Sequence, residues 1–590
     1  MMFGRYLVRV QGTVTLTSAL HIGSGDEDEG YGALVMRDQE GNPVIPATTL
    51  AGLLRGIAQQ VALAGKYGAD EPCLTTDVNL MCRDCAVCRS FGTTDAASKW
   101  EFEDAAWAEC QVSGSDAREV RDSVGIDRQS GAAAPERLFQ QEVVPKGARF
   151  KFQWVLQADA EDEIALAIHA LDFWQEWTGR AGKASTAGLG AFKFSYTAER
   201  LDAHRPEEFE RYLYDAPIDG SAAVEVSARQ VRDYDAQKLI AKKRLPPDCD
   251  DRHAARLVFE AIRWHLTLAP VGPLQVKTDF PSEADELQVE VVVQPSPEHS
   301  ITRHERPDGS FVRTGRVDGK TITEEHYIPG RSLKGVLRSY SERILRTCWA
   351  LGHGDDRYIK SPEPVVCDPT RSSASRGGSP ARLTHCEPDK PCPGCRLFGS
   401  THFGGRVTVS EAFPVDTTAF SNAMKTLQRV SIDRITGGSA DKRLFSGRPL
   451  FPPRDHDPRL DLGFTLELES PEDWQVGLTL FVLRDLCKER LRVGFGKYAG
   501  QGKVRAVISG CEFLTRQGSP VDNQINESEL SPSWVGPFLH REWSRVPGVD
   551  IYGWYDQFTS LGDWATKGWT GFLREWAELG PKAEGVNEIV

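Results

Sequence analysis

Residues 45–56 read IPATTLAGLLRG, and residues 328–339 read IPGRSLKGVLRS. The second stretch restates the first 283 positions on, and repetition of this kind sets the domain count before any single element is considered. Working outward, each block is followed by four cysteines. The first group is C73-x8-C82-x2-C85-x2-C88-RSFG and then, seven residues on, WEFEDA. The second is C367-x18-C386-x5-C392-x2-C395-RLFG and then, seven residues on, VTVSEA. VGIDRQSG at 124–131 returns as VSIDRITG at 430–437, and the glycine-rich GRAGKASTAGLGAFK at 179–193 returns as RVGFGKYAGQGKV at 492–504. Four blocks in one order make two related domains in tandem. The larger spacing after the first block locates an insertion near the second cysteine group.

Each opening block predicts a helix. Leu50, Leu53, Leu54, Ile57 and Val61 fall at i, i+3, i+4, i+7 and i+11, and Leu333, Val336, Leu337, Tyr340 and Ile344 take the same places. Pro46 and Pro329 precede the helix starts, with Thr48 and Ser332 as expected caps. Residues 5–17 and 256–269 alternate apolar and polar with many β-branched side chains, as half-buried strands do. Trp100 with Phe102, and Val407 with Val409, alternate as strands after the cysteines. Strand–helix–strand order with further strands and a late helix predicts an α+β sandwich of ferredoxin-like type. The expected domains are 1–200, with a metal insertion around 73–88, and 256–515, with one around 367–395. Between them 201–255 reads as a charged linker with one helix near Ala236–Arg244. Residues 516–590 hold Trp534, Trp543, Trp554, Trp564, Trp569 and Trp576, have no copy in the first half, and read as an extension.

Composition narrows the class. The 590 residues carry a net charge of −14, which argues against an all-over basic coat but leaves room for a local basic groove. No run of eighteen apolar residues is present and the start MMFGRYLVRVQG is not a signal peptide, so a soluble cytoplasmic protein with no membrane partner is expected. Of thirteen cysteines, eight fall in the two groups, and in such a compartment metal binding is the better reading than disulfides.

Cys73, Cys82, Cys85 and Cys88, and Cys367, Cys386, Cys392 and Cys395, match two closed tetrahedral structural zinc sites, with His385 as a possible substitute for Cys386. Free buried cysteines are the plain alternative; a catalytic zinc lacks an open position and a nearby general base. The glycine stretches carry Lys183, Lys193, Lys497 and Lys503, a composition that lets backbone N–H groups and ammonium charge meet phosphate. A turn between strands is the alternative, and the pattern is not a Walker A loop. Arg331, Lys334 and Arg338 stand at i, i+3 and i+7 at a helix N-terminus that favours phosphate; copy one keeps only Arg55, at the place of Arg338. A solvated basic face is the competing view. Arg128 and Arg434, in the paired IDR blocks, are either further phosphate or base contacts or salt-bridge partners of Asp127 and Asp433. Asp26, Glu27, Asp28 and Glu29 follow a glycine turn beside His21, and carboxylates in a mobile loop there would hold Mg²⁺ or polarise a phosphate centre; an exposed acidic tip is the alternative. Copy two offers Asp279, Asp308 and Asp318.

HIGSG, IPATTLAGLLRG, the cysteines before RSFG, and AGLGAF resemble the RAMP superfamily (repeat-associated mysterious proteins) of CRISPR systems. IPGRSLKG, LFG and GFGKYAGQGKV of copy two are similar to it still more closely. The resemblance spans roughly 5–200 and 256–515 and is to the fused backbone subunits of type III-D effector complexes. It implies two RRM-like, ferredoxin-like domains stacked along a guide RNA beside other CRISPR subunits. It also implies a thumb-like hairpin in each, and an aspartate past the first strand that cleaves single-stranded target RNA with Mg²⁺ or another divalent metal. Some members lack that aspartate and only hold RNA. Copy one has ALVMRD in place of the family's Asp-x-Pro-Val, which moves the catalytic expectation to Asp26 and then Asp28. In copy two RVDGKTI favours Asp318 over Asp279. The competing functions are a non-catalytic scaffold of the same complexes, an endonuclease maturing the guide precursor, and a zinc-stapled protein-interaction module.

Overall fold

The computed structural model describes residues 5–28, 32–64, 67, 72, 81–108, 111–113, 117–126, 133–176, 179–214, 216–218, 224, 260–276, 313–353, 366–367, 386, 391–400, 404–432, 439–469 and 473–515. The expected tryptophan-rich extension, the helix near Ala236–Arg244, Cys73, Arg128, Asp279, His385 and Arg434 lie outside these residues.

The first repeat opens with β1 (Tyr6–Leu16), an alternating strand whose Val8, Val10, Val14 and Leu16 are buried. A hairpin follows, β2 (Gly23–Asp28) and β3 (Gly32–Val35), and then the helix α1 (Ala47–Ala64). Leu50, Leu54 and Val61 bury fully on the sheet while Leu53 and Ile57 pack at its margin. Burying one such leucine contributes about 1.5–3 kcal/mol, so this stripe is what seats the helix. The expected caps are corrected. Thr48 and Ser332 lie within the first turn, and the carboxylate of Asp104 accepts from the backbone N–H of Ala47 at 2.7 Å.

The chain continues through the short helix α2 (Ala86–Phe91), β4 (Trp100–Phe102) and β5 (Ala106–Trp107) into a long hairpin, β6 (Glu119–Ile126) and β7 (Ala133–Val143). It closes with β8 (Arg149–Ala158), α3 (Glu161–Glu176), β9 (Gly179–Arg180) and β10 (Ala191–Asp202). The main sheet runs β4-β8-β1-β10-β9, with β5 also on β8, and every one of these pairings is antiparallel. Its helix face is aromatic: Phe152 stacks on Trp154 at 4.1 Å and Phe194 on Trp174 of α3 at 4.5 Å. The expected linker begins instead with a helix, α4 (Pro206–Leu213), which is tied back to β10 by an ion pair from Arg211 to Glu199.

The second repeat restates this order. β11 (Glu260–Pro270), the hairpin β12 (Arg313–Asp318) and β13 (Thr321–His326), and the long helix α5 (Gly330–His353) come first. Then come α6 (Pro393–Phe398), β14 (Val407–Val409), β15 (Phe413–Pro414), α7 (Thr417–Asn422), and a hairpin of β16 (Leu427–Ile432) and β17 (Ser439–Gly447). β18 (Leu462–Glu469), α8 (Asp473–Cys487) and β19 (Val504–Thr515) complete it. The sheet order β14-β18-β11-β19 is the counterpart of β4-β8-β1-β10. Two cores result, one around Trp154 and Trp174 and one around Trp264, and the fold is mixed α+β in tandem, as the repeated blocks predict.

Among the described residues no helix is long and apolar enough to cross a membrane.

Candidate metal centres and nucleic-acid interface

The second cysteine group converges. Cys367, Cys386, Cys392 and Cys395 bring their four sulfurs within 4.8 Å of one another. Cys367 lies 3.2 Å from Cys395 and 3.8 Å from Cys392. Four thiolates bound ~2.3 Å from one tetrahedral ion stand ~3.8 Å apart, so the set fits a closed metal site. Contact with the neighbouring thiols pushes the Cys367 thiol up and the Cys392 thiol down. Cys386 itself belongs to the cluster. In the first group Cys82, Cys85 and Cys88 cluster in the same way, with Cys82 and Cys88 3.9 Å apart. Local sequence explains both: Cys85 and Cys392 sit just before the short helices α2 and α6, which turn Cys88 and Cys395 back toward them. The two clusters can hold metal ions.

The repeats meet along a polar seam. The turn after β9, Ser185–Ala187, lies against the start of α5 and against β14. Gly330, the third residue of IPG, is so close that a Cβ there would stand 2.5 Å from the carbonyl oxygen of Val409 and 2.9 Å from that of Ala187. From the other side the β12–β13 hairpin packs on the first repeat. Val317 N–H donates to Lys146 O at 2.8 Å, Val112 N–H to Gly319 O at 3.2 Å, and Val317 joins the first core.

Among the described residues, two cations in this seam have no ion-pair partner. Lys334 is 9% exposed and its ammonium donates to Thr186 Oγ1 of the first repeat at 2.8 Å. Burial, then Arg338 and Arg180, hold it down to about 7, only partly countered by Glu469. Arg331 donates to Ser123 Oγ and to Gln141 Oε1, and stacks 5.3 Å from the Phe139 ring. Burial, then Arg121, depress its value as well. Among the described residues neither forms an ion pair. Arg338, expected beside them, spends its donors inside the fold on Glu342, Gly399 O and Cys395 Sγ. Arg55 is half-buried against Met81 Sδ. Lys183 and Lys497 are exposed, and Lys503 pairs with Glu489 at 2.7 Å.

The glycine stretches do more than bare a backbone. Gly182 (φ +77) faces the carbonyl oxygen of His21, and Gly494 (φ +84) faces that of Gln275, each 2.2 Å from where a Cβ would stand. Lys183 N–H donates to His21 O at 2.9 Å and Phe495 N–H to Gln275 O at 2.7 Å. This identity of contact makes His21 and Gln275 structural counterparts, an equivalence the letters H and Q did not suggest. His21 is buried, its Nδ1 is 2.6 Å from Glu142 O, and burial lowers its value.

The acidic segment is corrected from a mobile loop to a strand. Asp26 and Asp28 lie in β2, where Glu27 pairs with Ala33 and Asp28 with Gly32. β3 in turn pairs with β7, and the buried Glu142 fixes the junction by accepting from Val35 N–H at 2.8 Å and pairing with Arg37 at 2.6 Å. Asp318 ends β12 and is exposed, as is Asp26. Asp28 and Asp318 thus hold like positions, each closing the first strand of the hairpin ahead of the repeated helix. Sequence reasoning missed Arg121, Glu119 and Glu411, which clamp the seam, because nothing local marks a partner 290 residues away.

A tandem α+β protein with a cysteine knuckle in each copy and a cationic seam between the copies is the class defined so far. The chain belongs to the RAMP superfamily, whose family model matches residues 13–193 and 310–505. Membership points to a CRISPR-associated RNA-binding subunit working with RNA and other subunits. No curated protein matches the chain.

Proposed function

We propose that this chain is a fused backbone subunit of a type III, III-D-like CRISPR effector complex, acting in the cytoplasm, that holds guide RNA and cleaves complementary target RNA. The observation that carries the RNA-binding part is the pair Arg331 and Lys334. Among the described residues both are partly or wholly buried with only neutral hydrogen-bond partners, an arrangement that is costly unless an anion completes it. They stand at the N-terminal turn of a 24-residue helix, where the dipole adds to the attraction for phosphate. Such contacts hold a backbone without reading bases, and guide pairing supplies the sequence.

The strand order β4-β8-β1-β10, repeated as β14-β18-β11-β19 with helices after the first and third strands in sequence, supports the RRM-like, ferredoxin-like reading. The β6–β7 and β16–β17 hairpins are the natural thumbs. Zinc is the metal that best suits four thiolates in a closed set. For cleavage, Asp26 and Asp318 are our first candidates and Asp28 is next: Asp26 lies within β2, while Asp28 and Asp318 close the first strand of the hairpin preceding the repeated helix. A divalent ion such as Mg²⁺ would supply charge neutralisation there, and the carboxylates would bind it and orient the scissile phosphate.

The test uses the assembled complex with a matched, end-labelled target RNA and Mg²⁺, comparing wild type with Asp26→Ala, Asp318→Ala and the double variant. Loss of one discrete cut per single substitution establishes both repeats as nuclease sites. An unchanged cut pattern with target binding intact makes the chain a scaffold.

A further inference from the structure

We propose that Arg338 is a positioning residue for a metal ion bound by Cys367, Cys386, Cys392 and Cys395, offsetting the charge that four thiolates leave on the site. The inference rests on the metal reading of that cluster and goes beyond it.

A divalent ion on four thiolates leaves about two negative charges, and here the sulfurs are largely out of water, with Cys395 1% and Cys367 2% exposed. Something must neutralise part of that charge. Arg338 stands seven residues beyond Arg331 on α5, ahead of Arg343 and Arg346. Its Nη2 donates to Cys395 Sγ at 3.6 Å and its Nη1 to Gly399 O, just past α6, at 2.8 Å. Its Nε donates to Glu342 at 2.8 Å, and Glu342, fully buried, also accepts from Arg346 at 3.2 Å. One guanidinium therefore ties a sulfur of the cluster, the end of the knuckle helix and the long helix together. The planar fork makes this possible, whereas a lysine at the same place supplies charge without the second and third bonds. Outer groups of this kind fix the orientation of metal ligands and tune the ion they hold.

In the first repeat the basic residues at the matching places have other partners. Arg55, at the matching helical place, donates to Met81 Sδ at 3.4 Å, and among the described residues it reaches no cysteine. Arg89, next to Cys88, is drawn away to Glu163 at 3.2 Å and to Asp162. The two centres share only the final C-x2-C spacing, and the second should hold its ion under the control of Arg338.

The experiment uses the full chain as wild type, Arg338→Gln, Arg338→Lys and Arg55→Gln. Metal content is measured by mass spectrometry, release is followed with a colorimetric chelator, and the sulfur-to-metal charge-transfer band is recorded after loading with Co²⁺. Arg338→Gln should release one ion about 10–100-fold faster than wild type and shift the cobalt band, with Arg338→Lys intermediate and Arg55→Gln unchanged. Wild-type release with an unshifted band in Arg338→Gln overturns the role of Arg338. Should that variant not fold, Arg338→Lys decides: wild-type release and band overturn the proposal, whereas faster release with a shifted band supports it. Wild-type protein that carries no thiolate-bound metal overturns the metal reading itself, a distinct failure.

Discussion

Arg121 of the first repeat donates its guanidinium to Glu411 of the second, across 290 positions of chain. The same side chain donates to Glu119 and to Thr314 Oγ1, each at 2.7 Å, and lies 4.9 Å over the ring of Tyr327. Glu119 returns across the seam, accepting from Thr314 Oγ1 at 3.0 Å and from Gly315 N–H at 2.9 Å. The seam between the repeats is therefore a polar network largely shut off from water, where breaking one member is far costlier than removing the whole.

Arg121→Met should cost about 3–5 kcal/mol, because Glu411 is then a buried carboxylate without its cation. The double variant Arg121→Met with Glu411→Leu should regain part of the loss, Glu119 still lacking its cation. Urea unfolding followed by tryptophan fluorescence gives the cycle. Additive effects below about 0.5 kcal/mol would remove the clamp from the account.

Gly330→Ala should loosen the docking of the repeats, since its Cβ would meet Val409 O at 2.5 Å and two further carbonyls at 2.9 Å. Overpacking of this sort costs roughly 1–3 kcal/mol. The first copy already has an alanine, Ala47, at the matching place. The shift in thermal midpoint of Gly330→Ala is the measurement, and a change within error would show that the seam yields without strain.

Arg331→Ala and Lys334→Ala should each lower the salt slope of guide-RNA binding by about 0.7, the value for one phosphate contact on a single strand. Arg338→Ala should leave the slope unchanged, since its donors are engaged within the fold. Titrations by fluorescence anisotropy at several salt concentrations separate the cases. An equal loss of slope in all three would put Arg338 on the RNA.

Lys334 gives a pH signature. Its folded value, about 7, lies below the unfolded value near 10.4, so between the two the unfolded chain binds more protons and stability of the RNA-free protein rises with pH. Below about 7 the burial penalty is present in full. Lys334→Met should flatten that rise. RNA would restore the charged form, so binding at pH 8 should take up a proton, detectable by calorimetry in buffers of different ionisation enthalpy. Equal apparent enthalpies in all buffers would argue against Lys334 meeting phosphate.

Much of the fold was legible. The 3.6-residue stripe in IPATTLAGLLRG and its copy has one physical meaning, a helix seated on a sheet, and Leu50, Leu54, Leu333 and Leu337 are buried as the stripe requires. The paired cysteine spacings were equally direct, because a short turn before a helix brings C-x2-C sulfurs together. Less legible was the segment at Asp26, where glycine and charge read as loop. Pairing with β3, itself held by β7 and Glu142, overrides that composition.

What the chain's own letters determined is whatever depends on short-range periodicity and on repetition: two copies, the repeated helix and its neighbouring strands, the clustered cysteines and the family. Tertiary structure alone decided which basic residues are free to meet an anion. Arg331, Lys334 and Arg338 share one helical face at i, i+3 and i+7, yet the first two enter the seam and the third turns to Cys395. It decided likewise that Arg121 and Glu411 pair and that His21 and Gln275 correspond. The physical reason is common to all three. Electrostatic partners are set by proximity in space and by exclusion of water, and neither has a period that a sequence can carry.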